Sequence, residues 1–188
     1  DAVRLTNYNI EACRGDAVCL FRKQRCHIQD DLNKLLEKIE AADGLILGTP
    51  IYMLESAAII KQIIDRLLSV GYNAKVKGRP AAIIVPYANK GWTSLPFVQP
   101  NFLLLWLHMN VVHRELIHLQ GLSEAGIDNS ALSRANAAGR DVALAAKGLP
   151  VEYVGEPGIC PICHDRNIRI HRDMKTVAKI LEGRKVHP

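Results

Sequence analysis

Aromatic side chains are scarce in this chain, at 5% of its 188 residues. That scarcity argues against a stacking platform for single-stranded nucleic acid. Long apolar runs are missing too. The longest candidate, Phe102 to Met109, falls short of a bilayer span and is bounded by Pro100 and Asn110. No export leader is legible, because the chain opens Asp1-Ala2-Val3-Arg4 and reads at once as folded sequence. A cytoplasmic location with no membrane and no nucleic-acid partner is therefore expected. Five cysteines cannot all pair with one another within one chain, and clustered cysteines without an export signal point to metal rather than disulfides.

What is present is ordinary globular material: 48% apolar and 23% charged residues. The length suits one domain with a small appendage. Lys and Arg total 24 against 19 Asp and Glu, a net charge of +5 that suits an anionic cofactor.

Strand-like and helix-like segments alternate along the chain. Ala2 to Tyr8 reads as a short strand, and Asn9 to Gln29 as a loop holding Cys13, Cys19 and Cys26. Asp30-Asp31 opens a helix to Ala42 with Leu32, Leu35, Leu36 and Ile39 on one face. Gly44 to Gly48 has the pattern of a strand buried on both faces. Thr49 to Glu55 is then a loop, and Ser56 can cap a helix to about Leu68. Ala81 to Pro86 is a second buried strand, Tyr87 to Ser94 a polar loop, Phe97 to Met109 a helix and Asn110 to Leu116 a further strand. Asn129 to Lys147 is an alanine-rich helix stopped by Gly148 and Pro150. This alternation predicts an α/β fold with a parallel sheet covered on both faces. Composition changes past Pro150, so residues 1–150 are expected to form the main domain and 151–188 a C-terminal tail.

In such sheets ligands bind beyond the carboxyl ends of the strands. Gly48-Thr49-Pro50-Ile51-Tyr52 follows a predicted strand and offers a hydroxyl, free amides and an aromatic ring to a planar heterocycle. On spacing alone it reads as a plain strand-to-helix turn, which is common in α/β units. The order Asp30-Asp31, Ala42-Asp43-Gly44, Thr49-Pro50-Ile51-Tyr52, then Lys61 and Asp65-Arg66, resembles the iron–sulfur flavoproteins. These belong to the NAD(P)H-dependent FMN reductase group of flavodoxin-like proteins. Thr49 replaces the usual serine and keeps the hydroxyl.

The resemblance implies a flavodoxin-like doubly wound parallel sheet with a Cys-rich loop. It implies FMN contacts from Thr49, Pro50, Ile51, Tyr52 and Met53. On the other side of the flavin they would come from Tyr87, Ala88, Asn89, Gly91 and Trp92. Lys90 and Trp92 depart from the usual glycine-rich pattern. Nothing matches the family's Ser-rich phosphate loop after the first strand, and the sequence reads as starting at the second strand. Weak FMN binding is then expected unless a partner completes the site.

The family usually carries four clustered cysteines. Here Cys13, Asp16, Cys19 and Cys26 hold those places, implying a four-iron, four-sulfur (4Fe-4S) cluster with Asp16 as a labile carboxylate ligand. A decayed site with three buried thiols is the other reading. Cys160-Pro161-Ile162-Cys163 has two readings: half of a structural zinc or cluster site, completed by partners such as His164 or His171, or a pair of free thiols. His108, His113 and His118 recur at fives, a spacing that gives them no common face. Asp65-Arg66 reads as a salt-bridge or dimer contact.

The expected function is electron transfer between cluster and FMN, with NAD(P)H or a ferredoxin as donor and a homodimer or homotetramer as assembly. The protein would position and tune the cofactors; no side chain stands out as a general acid or base. Two other readings remain open. One is a cluster-free NAD(P)H-dependent FMN reductase, the other a non-enzymatic accessory subunit on a degenerate flavodoxin fold.

Overall fold

The computed structural model describes residues 1–68, 70–71, 74–121 and 126–156. Cys160, Cys163, His164 and His171 lie outside them, and so does most of the predicted tail.

The elements run in chain order as α1 (Val18–Phe21), α2 (Leu32–Ala41), β1 (Leu45–Gly48), β2 (Ile51–Tyr52), β3 (Glu55–Ser56), α3 (Ala58–Arg66), β4 (Pro80–Tyr87), α4 (Val98–Trp106), β5 (Asn110–His118) and α5 (Asn129–Ala146). Strands β1, β4 and β5 form a parallel sheet in that order. β2 and β3 make a separate antiparallel hairpin.

The period-2 rule divides β4 between two cores. Ala81, Ile83 and Val85 belong to the larger core with Leu32, Leu35 and Leu36 of α2, Ile60 and Ile63 of α3, and Leu103 and Leu104 of α4. Ala82 packs with Ala138 and Val142 of α5 on the opposite face. These β4 alanines and Ile83 are 0% exposed, as the unbroken apolar sequence of a central parallel strand requires. At the start of α5, Asp128 accepts from the N–H groups of Ser130 and Ala131, and Gly148 with φ +74° follows its end. Arg79 donates to the carbonyls of Glu40 and Ala42, satisfying acceptors left over at the end of α2.

Four expectations need correction. Ala2 to Tyr8 forms no strand. Its amides turn back on the chain itself, Asn7 to Arg4 and Tyr8 to Leu5, in a 3₁₀ turn at Leu5–Asn7. Two apolar residues without a hydrogen-bonded neighbour do not hold an extended segment. Second, β1 is not buried on both faces: Leu45 and Leu47 are half-buried and Ile46 is 45% exposed. Among the described strands β1 has β4 as its one neighbour. Its free side borders a groove of about 860 Å³, lined by Leu35 and Ile39 of α2 and by Val142 and Ala143 of α5. Third, the predicted Thr49–Glu55 loop contains the β2–β3 hairpin. Its turn residues Met53 and Leu54 have φ of 47° and 78°, as a two-residue primed turn demands and as side chains other than glycine seldom adopt. Fourth, Ser56 does not cap α3. Its hydroxyl donates to Gln99 Oε1 at 3.1 Å, and the helix starts behind Ala57.

Beyond Pro150 the described residues extend the sheet. Val154 pairs in parallel with His113, exchanging hydrogen bonds with Val112 and Arg114. Among the described residues no helix is long and apolar enough to cross a membrane.

The tight α5–β1 contact is testable at two glycines. A Cβ on Gly44 would stand 2.7 Å from Val142 Cγ1 and 3.1 Å from the Pro80 carbonyl oxygen. Gly44→Ala is expected to destabilise by about 1–3 kcal/mol in urea unfolding, through overpacking. Gly139→Ala sits in the interior of α5, where the nearest atom is 3.8 Å away. It is expected to stabilise by about 0.5–1 kcal/mol, through helix propensity.

Candidate functional site

Parallel pairing of β1 with β4 puts the residues after both strands side by side at the carboxyl edge of the sheet. Thr49 through Met53 leave β1, and Tyr87 through Trp92 leave β4. Thr49 is buried, and its backbone N–H donates to the Ile84 carbonyl. Its hydroxyl oxygen accepts from the Ala57 N–H at 3.1 Å. Thr49 thus fixes the start of α3, a structural task for the hydroxyl that sequence reading had offered to a ligand. Ile51 is buried, while Tyr52 and Met53 are exposed at 60% and 78%. A strained turn carrying an exposed aromatic ring and a thioether at a strand's carboxyl end is the kind of outlier found at ligand sites. Gln99 of α4, unmarked in the sequence, holds the hairpin through Ser56 and Glu55.

The second loop is shaped by Asn89, whose side-chain oxygen accepts from the Gly91 N–H at 3.0 Å while its carbonyl accepts from Trp92. Trp92 packs partly against the core, and Tyr87 meets His118 edge-on at 5.2 Å. Ala88 and Asn89 are left at the surface between them.

The cysteine loop forms a second feature. Cys13, Asp16, Cys19, Cys26 and His27 border one cavity of about 110 Å³, which Asp65, Arg66 and Leu68 also line. The fold thus gathers all four family positions around one space. Cys13 is exposed, Cys19 half-buried and Cys26 buried. His27 Nε2 is 3.4 Å from Asp16, and its Nδ1 is buried with no hydrogen-bond partner among the described residues. Among those residues no three His, Cys, Asp or Glu side chains converge where a single ion could sit.

Behind Cys26 lies an ion pair whose side chains are both 0% exposed. Arg66 donates through Nη1 to Asp30 Oδ2 at 2.7 Å and through Nη2 to Asp30 Oδ1 at 3.2 Å. Nη1 also reaches the Glu11 carbonyl at 2.7 Å, and Nε reaches Cys26 Sγ at 2.9 Å. The salt bridge expected of Asp65-Arg66 exists twice, since exposed Asp65 pairs with Lys61. Sequence reading missed the reach of Arg66 back across the loop to Cys26. Burial pushes the Asp30 carboxyl up, but the Arg66 guanidinium and the Glu11 and Leu32 amides outweigh it and hold it below the ordinary value. Burial disfavours the Arg66 cation too, and Asp30 and Cys26 overcome that and raise its pKa.

Away from both loops, His113 is buried between Asp141, at 2.6 Å from Nδ1, and Glu115, at 3.1 Å from Nε2. His118 lies against Tyr87 and His108 ends the turn after α4, so the five-residue spacing scatters the three histidines.

The buried pair predicts an acid-sensitive fold. The folded pKa of Asp30 lies below its unfolded value near 3.9, so its stabilisation is complete above about pH 4 and is lost as the pH falls through the folded value. Asp30→Asn, which strands a buried guanidinium, is expected to cost about 3–5 kcal/mol near neutral pH and to flatten the acid limb of stability. Urea titrations from pH 3 to 7 measure both.

Comparison with known proteins matches this geometry. The NADPH-dependent FMN reductase family matches residues 1–121, more than half of the chain. An iron–sulfur flavoprotein of Archaeoglobus fulgidus is 35% identical over 91 residues, covering 48% of this chain and 41% of that protein. Another, from Methanocaldococcus jannaschii, is 30% identical over 105 residues, or 55% of this chain and 54% of the relative. Among solved structures, one described as flavone reductase superposes with a TM-score of 0.69 at 23% identity, over 90% of this chain and 60% of that one. This likeness establishes the flavodoxin-like α/β fold. In each case the chain spans less than two thirds of its relative's length. The chain belongs to the NADPH-dependent FMN reductase family, with iron–sulfur flavoproteins among its relatives.

Proposed function

We propose that this protein is a flavin oxidoreductase that passes electrons between FMN and an iron–sulfur cluster. The observation that carries the reading is the cavity bordered together by Cys13, Asp16, Cys19 and Cys26. Three thiols from one loop around one space are hard to explain by core packing, given that Cys13 is exposed. When bound, a cluster there supplies one-electron chemistry, complementing a flavin. Its ligands would be the three cysteines and Asp16, a weaker and more labile donor than thiolate. His27, whose Nδ1 is buried without a hydrogen-bond partner among the described residues, lines the same space.

The flavin would rest between the two loops at the carboxyl edge. The Thr49–Met53 segment would present backbone amides and Tyr52, and the Tyr87–Trp92 loop would cover the other side through Ala88, Asn89 and Gly91. A phosphate loop would have to follow a further parallel strand. The groove beside β1 supports a strand at that place. Leu45-Ile46-Leu47-Gly48 has the sequence of a central strand but stands at an edge among the described strands. Family membership favours NAD(P)H as donor, with a ferredoxin as the other candidate. A homodimer or homotetramer would let cluster and flavin meet across subunits, and zinc at Cys160 and Cys163 remains part of the proposal.

A cluster-free FMN reductase is the second reading, favoured by the carboxylate at position 16 and by the lack of convergence on a single ion site. Composition separates the two. Protein purified without oxygen is expected to hold about four iron and four sulfide per chain with FMN. Asp16→Cys is expected to slow cluster loss in air, and Asp16→Ala to leave about three iron per chain. Flavin without iron would overturn the electron-transfer reading in favour of the cluster-free reductase.

A further inference from the structure

We infer that Arg66 sets the reduction potential of the cluster at Cys26, raising it through a buried N–H···S bond that Asp30 opposes. The inference rests on the cluster reading above. It does not concern which residues bind iron. It concerns what a neighbouring pair of charges does to the electron.

Arg66 is the largest fully buried side chain of the described residues, 1% exposed. It has three separate tasks. Nε points at Cys26 Sγ at 2.9 Å, Nη1 and Nη2 grip the Asp30 carboxylate at 2.7 and 3.2 Å, and Nη1 also holds the Glu11 carbonyl. Only a planar fork of donors reaches all three partners, so lysine could not replace it fully. A side chain needed only to pair with Asp30 would not require the contact to sulfur.

The electrostatic argument has a sign. Reduction adds a negative charge to the cluster and its thiolates. A guanidinium in hydrogen-bond contact with one of those sulfurs stabilises the reduced form and raises the potential. The Asp30 carboxylate, bound to the Nη edge of the same guanidinium, destabilises the added charge. Little solvent screens either, since both side chains are fully buried. The two members of one ion pair therefore act on the potential in opposite directions. Asp16, His27 and Asp65 border the same cavity and stay the same in every variant below.

The test is a spectroelectrochemical titration of the cluster under argon, with iron and sulfide per chain measured on each sample. Three proteins are compared: wild type, Arg66→Met and Asp30→Asn. Arg66→Met is expected to lower the potential and Asp30→Asn to raise it. A structural role alone would move both variants the same way, through a loosened loop, and that result overturns the inference. So do potentials that match wild type in loaded variants. Should Arg66→Met fail to fold, Arg66→Lys carries the same arm, because it keeps the charge but loses the planar reach to sulfur. A smaller drop is then expected, and no drop overturns the inference. Wild-type protein without iron overturns the cluster reading and the inference with it, an outcome the iron assay distinguishes from an unchanged potential.

Discussion

The ion pair between Arg66 and Asp30 ties the cysteine loop to the start of α2 and the end of α3. Asp30 stands before α2 and Arg66 ends α3. Between them the guanidinium reaches the Glu11 carbonyl and the Cys26 sulfur in the cysteine loop. Asp30 and Asp31 add bonds to the amides of Glu11 and Asn9. The loop from Asn9 to Gln29 holds little regular structure, one short turn of helix at Val18–Phe21. Its path is therefore set by these polar anchors and by Ile10, Cys26 and Ile28, which are buried in the larger core. A buried ion pair seldom adds much net stability, because desolvation offsets the attraction. What it supplies here is position: it fixes Glu11 and Cys26 of the loop against the end of α3.

The two candidate sites are placed by different physics. The flavin-side loops follow from the sheet, since parallel strands with helical crossovers deliver their carboxyl ends to one edge. Thr49 and Gln99 then fix the hairpin against α3 and α4. The cysteine cavity does not depend on the sheet. It arises where the loop meets the end of α3, with Arg66 and Leu68 among its lining.

The open side of β1 is the part of the fold most at odds with its own sequence. A run of leucine, isoleucine and leucine without charge or proline is poor protection for an edge, where pairing with other chains must be discouraged. Helices α2 and α5 both present apolar side chains to the adjoining groove.

Much was legible in the residues themselves. Unbroken apolar runs located β1 and β4, although only β4 proved to be covered on both faces. Leucines at helical spacing located α2, and alanine enrichment ending at Gly148 located α5. The order of short motifs from Asp30 to Arg66 carried the family, since each marks a fixed point of chain geometry. Tertiary structure decided the rest. Ala2 to Tyr8 could not be a strand without a partner, and partners are not written in a segment. Ser56 yielded its capping place because Gln99, 43 residues away, claims its hydroxyl. The hydroxyl of Thr49 went to the backbone of Ala57 for the same reason. Above all, the sequence determined that three thiols and a carboxylate share one loop. Only folding decided that Arg66, 40 residues beyond Cys26, would meet its sulfur. Local spacing governs which groups a segment offers, but a buried charge takes whichever partners the packed chain brings within hydrogen-bond reach.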